Sequence, residues 1–201
     1  MEPAKWIDLV VSLSFGTVCF LLLKRFIQRR TMLDLYFSLA ALFISIPYLL
    51  DLFRMDPPVN LFQWGKLVAV TFYISGLLVL IRESKPIFAR FPMYLTALPF
   101  VSFLFFPLII DSIVIKDLIN AIYQGGALVV TVLVFTLNQA RKRRRRYYII
   151  GLSSIGVSYL GYWLVFNRTA PELIWISEIL LSVGILFMTY RFIKSEYFNN
   201  Q

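Results

Sequence analysis

Residues 6–30 read WIDLVVSLSFGTVCFLLLKRFIQRR, an apolar run over 6–23 that is followed by four basic side chains. Crossing a bilayer takes about 20 mostly apolar residues in a helix. A secretory signal peptide carries its positive charges before the apolar run, whereas here they follow it. The segment therefore predicts a retained membrane helix whose amino end is translocated.

The composition of the whole chain agrees with embedding in a membrane. Of its 201 residues, 59% are hydrophobic and 15% are charged, whereas soluble domains carry about 25% charged residues. A soluble globule of this size could not bury so much apolar surface. The sequence therefore predicts an integral membrane protein.

Hydropathy divides the chain into seven apolar stretches. The predicted spans are 6–23, 35–53, 66–81, 92–110, 117–138, 147–166 and 173–190. Seven spanning helices use about 140 residues, which leaves only short connections and tails. We therefore expect one all-α domain over residues 1–201, a seven-transmembrane-helix bundle without a soluble domain.

The basic residues predict the orientation of this bundle. Short cytoplasmic loops are enriched in Lys and Arg, and most of the 20 Lys and Arg residues follow spans one, three, five and seven. This pattern places the N-terminus outside and the C-terminus in the cytoplasm. The short loops and the many Phe and Ile residues favour a bacterial inner (plasma) membrane.

Prolines interrupt two of the predicted spans. Pro92, Pro99 and Pro107 lie in span four, and Pro47 lies in span two. Proline inside a membrane helix is tolerated but kinks the helix, because its ring removes one N–H and clashes with a preceding carbonyl. We therefore expect kinks at Pro99, Pro107 and Pro47, whereas Pro92 lies in the first turn, where its missing N–H would be unpaired anyway.

The residues that are missing narrow the chemistry. The chain has no histidine and one cysteine, Cys19, within the first apolar run. This excludes His-based metal and haem sites, Ser-His-Asp triads and imidazole proton relays. Span seven has no lysine before Lys194, which excludes a retinal Schiff base. We expect no enzyme activity, no cofactor and no metal.

Span six carries a stripe of small residues. Gly151, Ser154, Ser158 and Gly161 lie 3, 4 and 3 residues apart, and therefore along one helix face. Small residues let another helix backbone approach closely, and serines form hydrogen bonds between helices. The stripe predicts a helix-packing face. Its partner is either another helix of this bundle, which we favour, or another subunit.

Ionisable residues at membrane depth are costly and are therefore candidates for function. Here they gather near the outer ends of spans one, five and seven, together with polar and aromatic neighbours: Asp8, Asp117, Asn120, Gln124, Trp175 and Glu178. If these spans converge, the six residues line an outward-facing polar pocket. The alternative is that Asp8 and Asp117 lie at the interface and that a neighbouring serine or tyrosine satisfies Glu178.

The most basic segment is the loop after span five, with Arg141, Lys142, Arg143, Arg144, Arg145 and Arg146. Its main interpretation is topogenic, because such charges hold a loop in the cytoplasm. Contact with anionic lipid headgroups or with an acidic partner is the alternative. We expect no nucleic-acid binding, because so short a loop offers no folded basic face with stacking aromatics.

Three functions remain compatible with the sequence. The first is a non-catalytic accessory or scaffold subunit that packs against a larger membrane complex or a second copy of the chain. The second is a receptor or sensor with an outward-facing small-ligand pocket. The third is a small transporter or channel that uses Glu178 as an ion or proton site. The sequence favours the first, because it has no soluble domain, no catalytic motif and no charged path across the membrane, and because span six carries the stripe of small residues.

Overall fold

The computed structural model describes residues 3–53, 61–84, 86–105, 146–166 and 173–197, and all secondary structure in these ranges is helical. The α-helices are α1 (Pro3–Arg29), α2 (Met32–Leu52), α3 (Leu61–Ser84), the short α4 (Pro86–Ala89), α5 (Arg146–Gly161) and α6 (Ile174–Tyr197). A 3₁₀ helix covers Met93–Leu104, and a π-helical turn, Tyr162–Phe166, continues α5.

Three of the helices are long and apolar enough to cross a membrane: Lys5–Arg29 in α1, Met32–Leu52 in α2 and Trp64–Glu83 in α3. Shorter apolar helices cover Met93–Leu104, Ile149–Leu164 and Trp175–Tyr190. The described residues are therefore all-helical, as predicted, and three of their helices could span a membrane. The seven-span count and the orientation of the termini stay predictions, and predicted span five (117–138) lies outside the described residues.

The helices pack in the order α3, α2, α1, α6, α5, with the 3₁₀ helix against α3. On α1 the buried residues Val11, Phe15, Val18 and Leu22 recur every 3 or 4 residues, and therefore form one face. This face packs against Ala41 and Tyr48 of α2, with α6 residues beside it. The apolar core thus lies along the seam between α1 and α2.

A two-residue turn joins α1 to α2. Arg30 adopts a left-handed backbone with φ 56°, and its N–H donates a 2.7 Å hydrogen bond to the carbonyl of Phe26. Beside the turn, Arg25 Nε lies 3.1 Å from Oδ2 of Asp34, and the Thr31 hydroxyl donates to the same oxygen at 2.6 Å. The Asp34 side chain is fully buried, at the N-terminal end of α2, where the helix dipole favours a negative charge.

Charged residues occur at two levels of the bundle. No charged residue lies between Asp8 and Lys24 in α1, between Asp34 and Asp51 in α2, or between Lys66 and Arg82 in α3. Sixteen helical residues rise about 24 Å, somewhat less than the roughly 30 Å of bilayer hydrocarbon. We call the level of Arg25 and Asp34 the basic end, and the level of Asp8, Asp51 and Glu178 the acidic end.

The prediction for span four differs from the structure. Instead of a kinked α-helix over 92–110, residues Met93–Leu104 form a 3₁₀ helix, and 106–110 lie outside the described residues. Pro99 cannot join an α-helical ladder, and the hydroxyls of Thr96 and Ser102 donate to the carbonyls three residues before them, at 2.8 and 2.7 Å. The tighter helix rises about 2 Å per residue, so twelve residues extend about 24 Å.

Pro47 does not break α2, which continues from Met32 to Leu52. Its ring prevents the usual hydrogen bond to the carbonyl of Phe43. Gly65 of α3 lies against this place, since a Cβ on Gly65 would come within 2.6 Å of the Phe43 oxygen and 3.0 Å of the Pro47 ring. The absence of a side chain at Gly65 therefore lets α3 approach α2 here.

Candidate functional site

A cavity of about 80 Å³ opens among α1, α2, α3, α5 and α6 near the acidic end. Its polar lining comes from Tyr48, Lys66, Ser158, Tyr159, Tyr162, Ser177 and Glu178. Val11, Phe15, Ile44, Val70 and Leu181 form its apolar wall. An apolar pocket with a few polar groups is the usual form of a small-molecule site.

One hydrogen bond crosses the wall of this cavity. The Tyr48 hydroxyl of α2 donates to Oε1 of Glu178 on α6 at 2.9 Å. Tyr48 is only 6% exposed, because it belongs to the buried face of α2 that packs on α1. The phenol therefore reaches α6 from a fixed position, and it holds the Glu178 carboxylate at the edge of the cavity.

Two more carboxyl groups lie beside this pair. The carboxyl groups of Asp8 of α1 and Asp51 of α2 lie close together, and Glu178 is within electrostatic range of Asp8. The acidic end thus concentrates negative charge next to the cavity, while Lys66 of α3 contributes a positive group to its lining.

Two serines fix the wall formed by α5 and α6. Ser158 donates to the carbonyl of Ser177 at 2.5 Å, and Ser154 donates to the carbonyl of Leu180 at 2.7 Å. Both bonds join α5 to α6, and Ser158 and Ser177 also line the cavity. The spacing between these two helices at the cavity is therefore set by direct contacts between serine hydroxyls and the backbone.

Glycines let the same two helices touch closer to the basic end. A Cβ on Gly184 would lie 2.9 Å from the Gly151 carbonyl oxygen, and one on Gly151 would lie 2.8 Å from Cγ of Met188. Gly151, Ser154 and Ser158 of the predicted stripe thus face α6 of the same chain. Gly161 is the last residue of α5, directly before the π-helical turn.

Tyr159 and Tyr162 bring the end of α5 to the cavity. They are three residues apart, and therefore on one side of the helix as it passes into the π-helical turn. Such turns are frequent at functional sites, because they re-aim side chains within a helix. Tyr162 also packs edge-to-face on Trp163, with ring centroids 5.4 Å apart.

Of the pocket residues predicted from the sequence, Asp8 and Glu178 are brought within electrostatic range of each other. Trp175 is 42% exposed and does not line the cavity. Asp117, Asn120 and Gln124 lie outside the described residues, as does the basic run from Arg141 to Arg145. Arg146 is the first residue of α5.

Tyr48, Asp51 and Lys66 were not predicted as pocket residues, because the two charged residues lie at the ends of the predicted spans 35–53 and 66–81. A signal was present in the spacing. Asp8 precedes Val11 by three residues, so it begins the buried face of α1. Asp51 follows Tyr48 by three residues and ends the matching face of α2. Buried faces that end in carboxyl groups indicate a polar cluster at one level of the bundle.

Within the described ranges, no group of three His, Cys, Asp or Glu side chains could hold a metal ion. The cavity offers a carboxylate, an ammonium group and several hydroxyls above an apolar wall, which suits binding of a small polar molecule. No family model, no curated protein and no solved structure matches the chain, so its function is argued from its own geometry.

Proposed function

We propose that the chain is a non-catalytic membrane receptor or sensor that binds a small polar ligand in the cavity at the acidic end. The cavity, with the Tyr48–Glu178 hydrogen bond in its wall, is the observation that carries the proposal. In this proposal the seven predicted spans form one bundle in a bacterial inner membrane. The N-terminus and the acidic end face outward, and the basic end faces the cytoplasm.

The hydrogen bonds around the cavity suggest how binding alters the protein. Glu178 bonds to Tyr48 of α2, and Ser177 accepts the bond from Ser158 of α5. A ligand that competes for the Glu178 carboxylate weakens the hydrogen bond between α6 and α2 and leaves the one between α6 and α5. Because α6 continues to Tyr197 at the basic end, a small shift of α6 at the cavity reaches the opposite face of the membrane.

A receptor is favoured over a transporter by the packing next to the cavity. Phe15, Val18 and Leu22 of α1 are each at most 3% exposed. In the described parts of α1, α2 and α3, no charged residue interrupts the roughly 24 Å between the two ends. A polar ligand in the cavity therefore meets a packed apolar layer and leaves by the way it entered.

The accessory-subunit hypothesis has less support than it had from the sequence. It relied partly on the small-residue stripe of span six as a face for a partner. Ser154 and Ser158 of this stripe bond to α6 of the same chain, and Gly151 lies against Gly184. The hypothesis stays a prediction, but this stripe no longer argues for it.

A thermal-shift screen on protein purified in mild detergent tests the proposal. The screen covers small amines, carboxylic acids, amino acids and sugars. We expect at least one compound to raise the Tm of the wild type, because a ligand that binds only the folded state stabilises it. Val70→Phe, which narrows the cavity, should abolish the shift. Val101→Phe, on the exposed face of the 3₁₀ helix, should retain it.

Two outcomes contradict a receptor. One is a screen in which no compound stabilises the wild type, and the other is an equal shift in wild type and Val70→Phe. Reconstitution into liposomes separates the transporter alternative. Uptake of a stabilising compound that depends on Glu178 would replace the receptor proposal with a transport function.

A further inference from the structure

Lys66 of α3 and Glu178 of α6 line the same cavity from different helices. In the part of the chain that the structure describes, they do not form an ion pair within 4 Å of each other. Charged side chains at this depth normally pair with one another or face a polar cavity, because an isolated charge in a bilayer is costly. The two opposite charges are therefore available to a molecule that lies between them.

The remaining lining defines what such a molecule looks like. Ser158, Tyr159 and Tyr162 contribute to the polar lining of the cavity, and Val11, Phe15 and Leu181 close its apolar side. The volume of about 80 Å³ limits the ligand to a compound of a few heavy atoms. A ligand with a negative group at one end, a positive group at the other and a short carbon chain between them would pair with both charged residues and contact the apolar wall.

We infer that the cavity binds a small zwitterionic aminocarboxylate, with its carboxylate toward Lys66 and its ammonium group toward Glu178. The inference rests on the proposed function and names its ligand class. A simple amine would leave Lys66 without a counter-charge, and a simple acid would do the same to Glu178. A buried charge without a counter-charge is costly in a low-dielectric site. A ligand that pairs with both residues is therefore favoured over one that pairs with only one of them.

The hydrogen bond from Tyr48 prepares Glu178 for this role. It engages Oε1 through a hydroxyl donor and fixes the position of the carboxyl group at the edge of the cavity. Each carboxylate oxygen has two acceptor positions, so the group still accepts bonds from an ammonium group. Lys66 supplies three donors and no acceptor, which matches a ligand carboxylate.

The test compares ligands on the wild-type protein first, so that it does not depend on a variant. The probes are alanine, ethylamine, propionate and lactate at matched ionic strength, with the Tm and calorimetric binding as readouts. Alanine should bind at least tenfold more tightly than each of the other three. Ethylamine lacks the carboxylate of alanine, and propionate and lactate lack its ammonium group.

Variants then assign the two ends. Lys66→Gln and Glu178→Gln should each weaken alanine binding at least tenfold. Lys24→Gln and Glu83→Gln, exposed residues at the basic end, should leave it unchanged. The double reversal Lys66→Glu with Glu178→Lys should recover binding, because a zwitterion can turn around. A merely structural role of either charge predicts no such recovery.

The outcomes separate this inference from the proposed function. Ethylamine binding as tightly as alanine, with sensitivity to Glu178→Gln alone, overturns the zwitterion and leaves a cation-binding receptor. Binding of sugars or other neutral compounds alone also overturns it. Failure of every compound in the wider screen overturns the receptor itself.

Discussion

Tyr48 and Glu178 are 130 positions apart in the chain and are joined by a 2.9 Å hydrogen bond from the phenol to the carboxylate. The bond ties α2, near the start of the chain, to α6, near its end. Because α1 packs directly on both α2 and α6, the bond between α2 and α6 joins all three helices around the part of the core nearest the acidic end. The cavity lies beside these three helices, so its shape depends on the bond.

Replacing Tyr48 with Phe should therefore destabilise the protein and loosen α6. Interhelical hydrogen bonds within membranes contribute about 0.6 to 2 kcal/mol. We expect Tyr48→Phe to lower the free energy of unfolding by about 1 kcal/mol, measured by denaturant titration in detergent. Tyr36, also on α2, makes ring contacts with Phe72 and Phe100 and has no side-chain hydrogen bond to another described residue. Tyr36→Phe is therefore the matched control and should change the free energy by less.

A double-mutant cycle with Glu178→Gln isolates the pair. If the bond acts as described, the two single changes are not additive, and the coupling energy is about 0.5 kcal/mol or more. Additive effects would mean that Tyr48 stabilises the protein through packing alone.

The ion pair between Arg25 and Asp34 supports the opposite end. Both side chains are at least 90% buried, and removal of one partner leaves the other charge uncompensated. Asp34→Asn should therefore cost about 3 kcal/mol of unfolding free energy. The joint replacement Arg25→Met with Asp34→Leu should cost less than Asp34→Asn, because it removes both charges together.

Lys24→Met is the control for this prediction. Lys24 is adjacent to Arg25 in sequence but exposed, so its loss should change stability by less than about 0.5 kcal/mol. A cost of the same size for Lys24→Met and Asp34→Asn would show that the local positive charge, and not the buried pair, stabilises this end.

The positions of the first three helices could be predicted from the sequence, because hydropathy alone determines where a long apolar helix lies. Predicted spans 6–23, 35–53 and 66–81 all lie within α1, α2 and α3 apart from Phe53, which follows α2. The helices are longer than the predicted spans, because charged residues such as Arg25 and Arg29 continue α1 beyond its apolar run. A span predicted from hydropathy ends at the first charged residue, whereas the backbone hydrogen bonds of the helix continue past it.

The site was only partly predictable, for a different physical reason. Glu178 and Asp8 are conspicuous because they are charges at membrane depth. Tyr48 and Lys66 enter the cavity because α2 and α3 turn particular faces toward α6, which depends on how the helices are arranged. Likewise, Arg25 was counted as a loop cation, although its spacing from Leu22 places it on the buried face.

The contact between α5 and α6 predicts opposite effects for two glycines. Gly184→Ala would place a Cβ 2.7 Å from Cγ1 of Ile155 and 2.9 Å from the Gly151 carbonyl. Because the backbone cannot move away cheaply, we expect a loss of about 1 to 3 kcal/mol. A Cβ at Gly156 on α5 would meet no atom of the described residues within 4 Å, so Gly156→Ala should gain about 0.5 to 1 kcal/mol from helix propensity.

Thermal unfolding of both variants in the same detergent checks that Gly184→Ala lowers the Tm and that Gly156→Ala raises it. Equal destabilisation by Gly184→Ala and Gly156→Ala would contradict the close packing of α5 on α6. An unchanged Tm for Gly184→Ala would do so as well.

The left-handed turn predicts a stabilising change. At φ 56° an arginine is strained, whereas glycine adopts this conformation without a steric cost. Arg30→Gly should raise the free energy of unfolding by about 0.5 to 1 kcal/mol, even though it removes the 5.9 Å contact of the guanidinium with the Phe26 ring. Gln28→Gly, two residues earlier within α1, should lower it by a similar amount.

The proposed orientation predicts which cysteines an impermeant reagent reaches in intact cells. Single cysteines are introduced at Lys5, Gln28 and Gln201 in a Cys19→Ser background, since Cys19 is the chain's one native cysteine. With seven spans and the N-terminus outside, a charged maleimide should label Lys5→Cys and leave the other two unlabelled until the membrane is opened. Gln28 and Gln201 should behave alike, because an even number of further spans separates them. Labelling of Gln201→Cys from outside would remove one span from the count, and labelling of Gln28→Cys but not Lys5→Cys would invert the bundle and turn the cavity toward the cytoplasm.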